Sequence, residues 1–220
     1  MTETTIGRVS KVDAVSRVLA TIGVAPISSL SGTLSLTVEL AQTAIDNVSR
    51  DIQGTTWGFN TERDVPFTSD GSGRIVLTGS AYAGAYVSSF DLEEPTSIDP
   101  VIKANPDDSN NATIWDRESK SFTAFAASTV YKATVTYYLQ WRDLPEAVKA
   151  YVMARAAREY QLQMVGNPQM DKMLVTQMLI AQQNLTEFEA AQFDYTIFDN
   201  YDVFRSLYRG PGAVVLFDRR

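Results

Sequence analysis

The sequence predicts an α+β protein: a helical bundle formed by N- and C-terminal helices, an inserted, mainly antiparallel β module and an extended C-terminal tail. Three observations predict it. Apolar residues recur at helical spacing near both ends of the chain, over 10–53 and 144–193. Between them, from 57 to 141, the period shifts toward the two-residue alternation of strands. After 195 no pattern is sustained, although the stretch is rich in aromatics and arginine. The expected division is therefore 1–60 with 141–195 for the bundle, 61–140 for the β module and 196–220 for a C-terminal arm.

The first helix is expected over 10–23. Val12, Val15, Leu19 and Ile22 share one face, Ser10 with Asp13 makes a capping box, and Gly23 is a stop. Residues 24–32 are a turn-rich connection. The second helix spans about 36–53, with Val38, Ala41, Ile45, Val48 and Ile52 on one face. Gly54 suits a left-handed C-terminal position.

In the β module, VYKATVTYYL (130–139) alternates cleanly. ATIWDRESKSFTAF (112–125) reads as a hairpin with its tip near Glu118, Ser119 and Lys120. RIVL (74–77) and AGAYVSSF (83–90) are shorter strands. Residues 93–111 hold three prolines and many turn formers, so they read mostly as loop. Helical spacing returns at Leu144, with Pro145 suited to a first turn. Ala147, Ala150, Ala154 and Ala157 form a small-residue stripe that permits close helix approach. Gly166, Asn167 and Pro168 end that helix. The last helix, about 169–193, buries Met170, Leu174, Met178, Ala181, Leu185 and Phe188. Packing all four apolar faces together buries them most simply.

Composition narrows the chemistry. The 220 residues contain no cysteine and no histidine. That removes disulfides, thiolate catalysis, the commonest general base and the commonest transition-metal ligand. The formal charge of −7 argues against gripping a phosphate backbone. It does not argue against surrounding DNA. No apolar run is long enough to span a membrane, and the N-terminus lacks a signal-peptide core, so a cytosolic origin is expected.

No catalytic, cofactor-binding or metal residue is assigned. GSG (71–73) and GPG (210–212) lack the spacing of phosphate loops and read as turns. Counting from Asp107, oxygen-bearing Asp107, Ser109 and Asn111 fall at positions one, three and five of a calcium loop, and Glu118 at twelve. Ala112 replaces the required glycine, and the flanks read as strands, so a solvated turn is the better reading. Glu93, Glu94, Asp107, Asp108, Asp116 and Glu118 could serve a carbohydrate-active hydrolase without histidine, which is the competing function. Lys149, Arg155 and Arg158 read as a solvated face or intersubunit pairs, since DNA footprints need a larger basic patch. Trp57 and Phe59, two residues apart, read as strand alternates that plug the joint between helices and sheet.

The order of several motifs resembles one family. AVSRVLATIGVAPISSLSG (14–32), with Ile22, Gly23, Pro26, Leu30 and Gly32, precedes a helix ending in RDIQGTTWGFNTE (50–62). Ile52, Gln53, Trp57, Phe59 and Asn60 carry its "IQ..GW.FN" exit. IWDRESKSF (114–122) and WRDLPEAVKAYVMARAAREYQLQMVGNP (141–168) follow in the expected places. Together these resemble the tail tubular protein A family, head-to-tail adaptors of short-tailed bacteriophages. Gly54-Thr55-Thr56 departs from the family, which has one glycine directly before the tryptophan. The resemblance covers about 10–195 and is thinnest over 70–110.

The resemblance implies a structural protein of the virion tail. It implies a homo-oligomeric ring, understood to be twelve-fold, between the portal and the tail nozzle. Such a ring helps hold tail fibres and lines the channel for genomic DNA without sequence-specific binding. It implies no enzyme, no cofactor and no membrane; a virion-associated hydrolase is the alternative. The tail beyond 195 matches nothing in the family. It reads either as a self-packed or disordered terminus or as an arm ordering on a neighbour or the portal. Tyr201, Phe204, Tyr208 and Arg209 are interface-type residues favouring the arm.

Overall fold

A computed structural model describes residues 7–77, 86–93, 97–106 and 111–192. It has four helices and two small antiparallel sheets, an α+β architecture.

Helix α1 spans Lys11–Ala20. The Ser10 hydroxyl accepts from Asp13 N at 3.1 Å, and the Asp13 carboxylate accepts from Ser10 N at 3.2 Å, completing the capping box. Helix α2 spans Leu36–Gln53 and buries Val38, Ala41, Ile45, Val48 and Ile52, as its periodicity predicts. Gly54 differs from expectation: its φ of −66° is right-handed. A Cβ there would sit 3.4 Å from the carbonyls of Arg50 and Asp51 and 3.6 Å from Tyr138 Oη, ordinary van der Waals contacts, so neither conformation nor space demands glycine.

Helix α3 spans Glu146–Met164, with Pro145 as its N-cap, and α4 spans Pro168–Gln192. Asn167 Oδ1 caps α4 by accepting from Gln169 N at 2.9 Å and Met170 N at 3.3 Å. The alanine stripe of α3 is only partly its buried seam: Ala157 is buried and Ala147 packs against the core, while Ala154 is half-buried and Ala150 is exposed. Val148, Val152, Ala156 and Tyr160 carry most of the burial. Residues of all four helices share one core, from Val15 and Leu19 through Ile45 and Val152 to Leu185. Each large side chain so buried contributes about 1.5–3 kcal/mol.

The strands are β1 (Thr61–Thr68), β2 (Val76–Leu77), β3 (Tyr86–Leu92), β4 (Pro100–Ala104), β5 (Ala112–Asp116) and β6 (Val130–Tyr138). One sheet has order β1-β6-β3 and the other β2-β5-β4. Their shared core contains Val65, Ile75, Phe90, Ile114, Phe125, Val135 and Tyr137. Strand β4 lies in the stretch expected to be loop. PVIKA pairs with β5 on one side only, and Pro100 opens it, a position where the missing N–H costs no ladder bond. The expected hairpin at 112–125 reduces to β5 and a turn closed by a single bridge, Asp116 with Ser121. The partners of β5 are β4, the strand just before it in the chain, and β2 from further upstream.

Candidate functional site

The region that ties helices to sheet is built from buried amides. Gln53, the last residue of α2, is 2% exposed. Its side chain imitates a strand neighbour of Leu139, just past β6. Leu139 N donates to Gln53 Oε1 at 2.6 Å, and Gln53 Nε2 donates to Leu139 O at 3.3 Å. Asn60, equally buried, completes the connection. Its Nδ2 donates to Gln53 O at 2.9 Å and to Tyr137 O at 3.2 Å, while its Oδ1 accepts from Trp57 N at 3.0 Å. One helix end and one strand end are thus joined by two side chains, with buried polar groups satisfied on both.

Trp57 and Phe59 stand beside this network. Their rings are stacked with centroids 6.1 Å apart. Residues 58–60 form a 3-10 turn, so the two are not strand alternates. The turn is imposed by the Asn60 bond to Trp57 N. Trp57 Nε1 donates to Ile52 O at 2.8 Å, and both rings pack on the helical core. Glu189 of α4 accepts from Gly58 N, which brings the end of α4 to the same place. Sequence reasoning quoted Gln53 and Asn60 as motif letters but gave them no role. Periodicity counts apolar residues and is blind to a buried amide.

The carboxylates considered for catalysis organise turns. Asp116, 3% exposed, accepts from Asp99 N at 2.9 Å, Glu118 N at 3.2 Å and Ser119 N at 2.9 Å. These bonds, those from Ser119 foremost, hold its pKa down at about 2. That is the reverse of the raised pKa a glycosidic acid needs. Glu93 accepts from Asp64 N at 2.6 Å and Thr134 Oγ1 at 2.9 Å, steadying a bulge in β1 where Asp64 has φ of 58°. Glu94, Asp107, Asp108 and Ser109 lie outside the described residues. Among the described residues no group of three acidic side chains could hold a metal ion.

The basic residues of α3 form pairs within the chain. Arg155 reaches Asp51 at 3.0 Å and Glu159 at 2.9 Å; Arg158 reaches Asp171 at 2.7 Å. Their guanidinium pKa values are raised, by Glu159 against a desolvation cost for Arg155 and by Asp171 for Arg158. Lys149 is fully buried and bonds Glu146 at 2.9 Å, so it is neither a solvated face nor an intersubunit pair.

Two surface features remain. Helix α4 exposes Met173 (61%), Leu179 (54%) and Ile180 (55%). Leu36, Leu162, Met164 and Val165 are exposed at the start of α2 and end of α3. The Tyr160 hydroxyl donates to Thr37 O at 3.0 Å, so those two ends adjoin. The second feature is a groove of about 750 Å³ beside the Gln53–Leu139 pair. Tyr201, Phe204, Tyr208 and Arg209 lie outside the described residues.

Comparison with known proteins agrees with the motifs. The family model described as tail tubular protein matches residues 12–195. No curated protein matches the chain. Among the described residues no helix is long and apolar enough to cross a membrane. The family is structural rather than enzymatic, and its members are phage tail components that meet other virion proteins. With most of its length matched, this chain belongs to the tail tubular protein family.

Proposed function

We propose that the chain is a ring-forming adaptor that joins the portal to the tail nozzle, lines the DNA exit channel and helps hold tail fibres. The observation that carries this reading is the apolar surface left on the helices: Met173, Leu179 and Ile180 on α4, and Leu36, Leu162, Met164 and Val165 at the adjoining ends of α2 and α3. Exposed apolar clusters of this kind mark protein contacts. A closed ring needs a head-to-tail contact between two different patches of the same chain. The net charge of −7 suits a conduit, because an acidic wall does not hold DNA by adhesion.

In this reading residues 1–60 and 141–195 act as one helical bundle, 61–140 as an inserted β module and 196–220 as an arm. Trp57 and Phe59 serve the joint between bundle and module, supported by their packing beside Gln53 and Asn60. Tyr201, Phe204, Tyr208 and Arg209 meet a neighbouring subunit or the portal.

Electron microscopy of the purified chain, alone and in its virion, tests the reading. Closed rings of about twelve copies at the neck of the particle are expected. A neck that lacks this polypeptide overturns the proposal.

A further inference from the structure

The groove beside the joint has a composition that the ring does not explain. It is lined by Arg8, Lys11, Arg50, Arg142 and Lys149, with Asp46 as the only carboxylate among its lining residues. Lys11 is neutralised by Asp46 at 2.7 Å and Lys149 by Glu146 at 2.9 Å. Arg8, Arg50 and Arg142 are the excess, offset only by Asp143 at 3.4 Å from Arg142. Arg50 has no ion-pair partner among the described residues. Apolar surface from Val9, Leu139 and Trp141 lies between the charges. Such a groove in a chain of net charge −7 fits an acidic peptide with large apolar side chains.

The chain carries such a peptide immediately after α4. Residues 193–200, FDYTIFDN, hold two aspartates, three aromatics and no Lys or Arg. The charge then reverses: residues 205–220 contain four arginines and one aspartate. One turn before its end at Gln192, α4 meets Gly58 through Glu189, and Gly58 lies five residues beyond Gln53 of the groove lining. Eight extended residues reach at most about 26 Å.

We propose that residues 193–200 seat in the groove of their own chain, with Asp194 and Asp199 facing Arg8, Arg50 and Arg142 and Phe193 and Phe198 on the apolar floor. The seat fixes the point from which the arginine-rich remainder leaves the body. It needs no second copy and stands apart from the ring.

The absence of cysteine makes a direct test available. In the full chain, Ser49→Cys on the groove wall is combined with Asn200→Cys and the pair is mildly oxidised. Loss of both free thiols without covalent dimers is the expected result. Covalent dimers would assign the segment to a neighbour's groove, and persisting thiols would place it elsewhere; either overturns the proposal. Gln140→Cys, at an exposed and uncharged position of the groove lining, provides a second placement should Ser49→Cys disturb folding. Charge is tested on the same pair. Arg50→Glu is expected to slow intrachain closure about tenfold, with Asp199→Lys added to Arg50→Glu restoring it. Closure indifferent to both changes overturns the electrostatic basis.

Discussion

Gln53 and Leu139, 86 residues apart, exchange a pair of hydrogen bonds, one to each backbone group of Leu139. The side chain thereby extends the pairing of β6 onto the end of α2. A local motif becomes the fastening between two separately cored layers.

Removing that amide should be costly. Gln53→Ala strips both hydrogen-bond partners from the N–H and C=O of half-buried Leu139. A loss of about 1–3 kcal/mol is expected in urea unfolding, from the two bonds. Gln53→Glu should not rescue it, because a carboxylate cannot donate to Leu139 O.

Asn60→Ala should weaken the same unit and not an independent one. Its Nδ2 bonds both Gln53 O and Tyr137 O. A double-mutant cycle with Gln53→Ala is expected to show coupling of about 1 kcal/mol. Additive losses would mean that the two amides act separately.

Asp116 makes a pH prediction. Its folded pKa of about 2 lies below the ordinary 3.8. The carboxylate therefore stabilises the fold fully above the ordinary value, and that stabilisation is lost as pH falls toward 2. Asp116→Asn should lower the melting temperature at neutral pH. The gap from the unaltered protein should narrow between pH 4 and pH 2, as read by circular dichroism.

Lys149 separates packing from charge. Its partner Glu146 has a side chain 48% exposed, so losing the lysine leaves no buried anion. Lys149→Met, which keeps the stem volume, should change stability by less than about 1 kcal/mol, whereas Lys149→Ala should cost about 2 kcal/mol or more through the cavity.

The apolar face of α4 should matter for assembly and not for folding. Leu179→Glu with Ile180→Glu changes side chains that are more than half exposed. The melting temperature of the isolated chain should be unaltered while rings disappear from micrographs. Deleting 199–220 should likewise spare the helical fold and abolish docking onto the portal.

Helix positions were legible in the linear order of residues because a buried face repeats at a fixed local period. The face of α2 and the Ser10 cap both follow from neighbours within a few turns. Strand β6 was legible for the same reason. Strand β4 was not, since PVIKA becomes a strand only by pairing with β5 and is surrounded by turn formers. The alanines of α3 misled in part, because spacing names a stripe without saying how squarely it meets a neighbour; Ala157 is buried and Ala150 is exposed, and Val148 and Val152 fill more of the core. Gln53, Asn60 and Lys149 look like surface residues in a string of letters. Burying them is favourable only where Leu139, Tyr137 and Glu146 supply partners; Glu146 is one helical turn from Lys149, but Leu139 and Tyr137 come within reach of Gln53 and Asn60 only through folding over long separations.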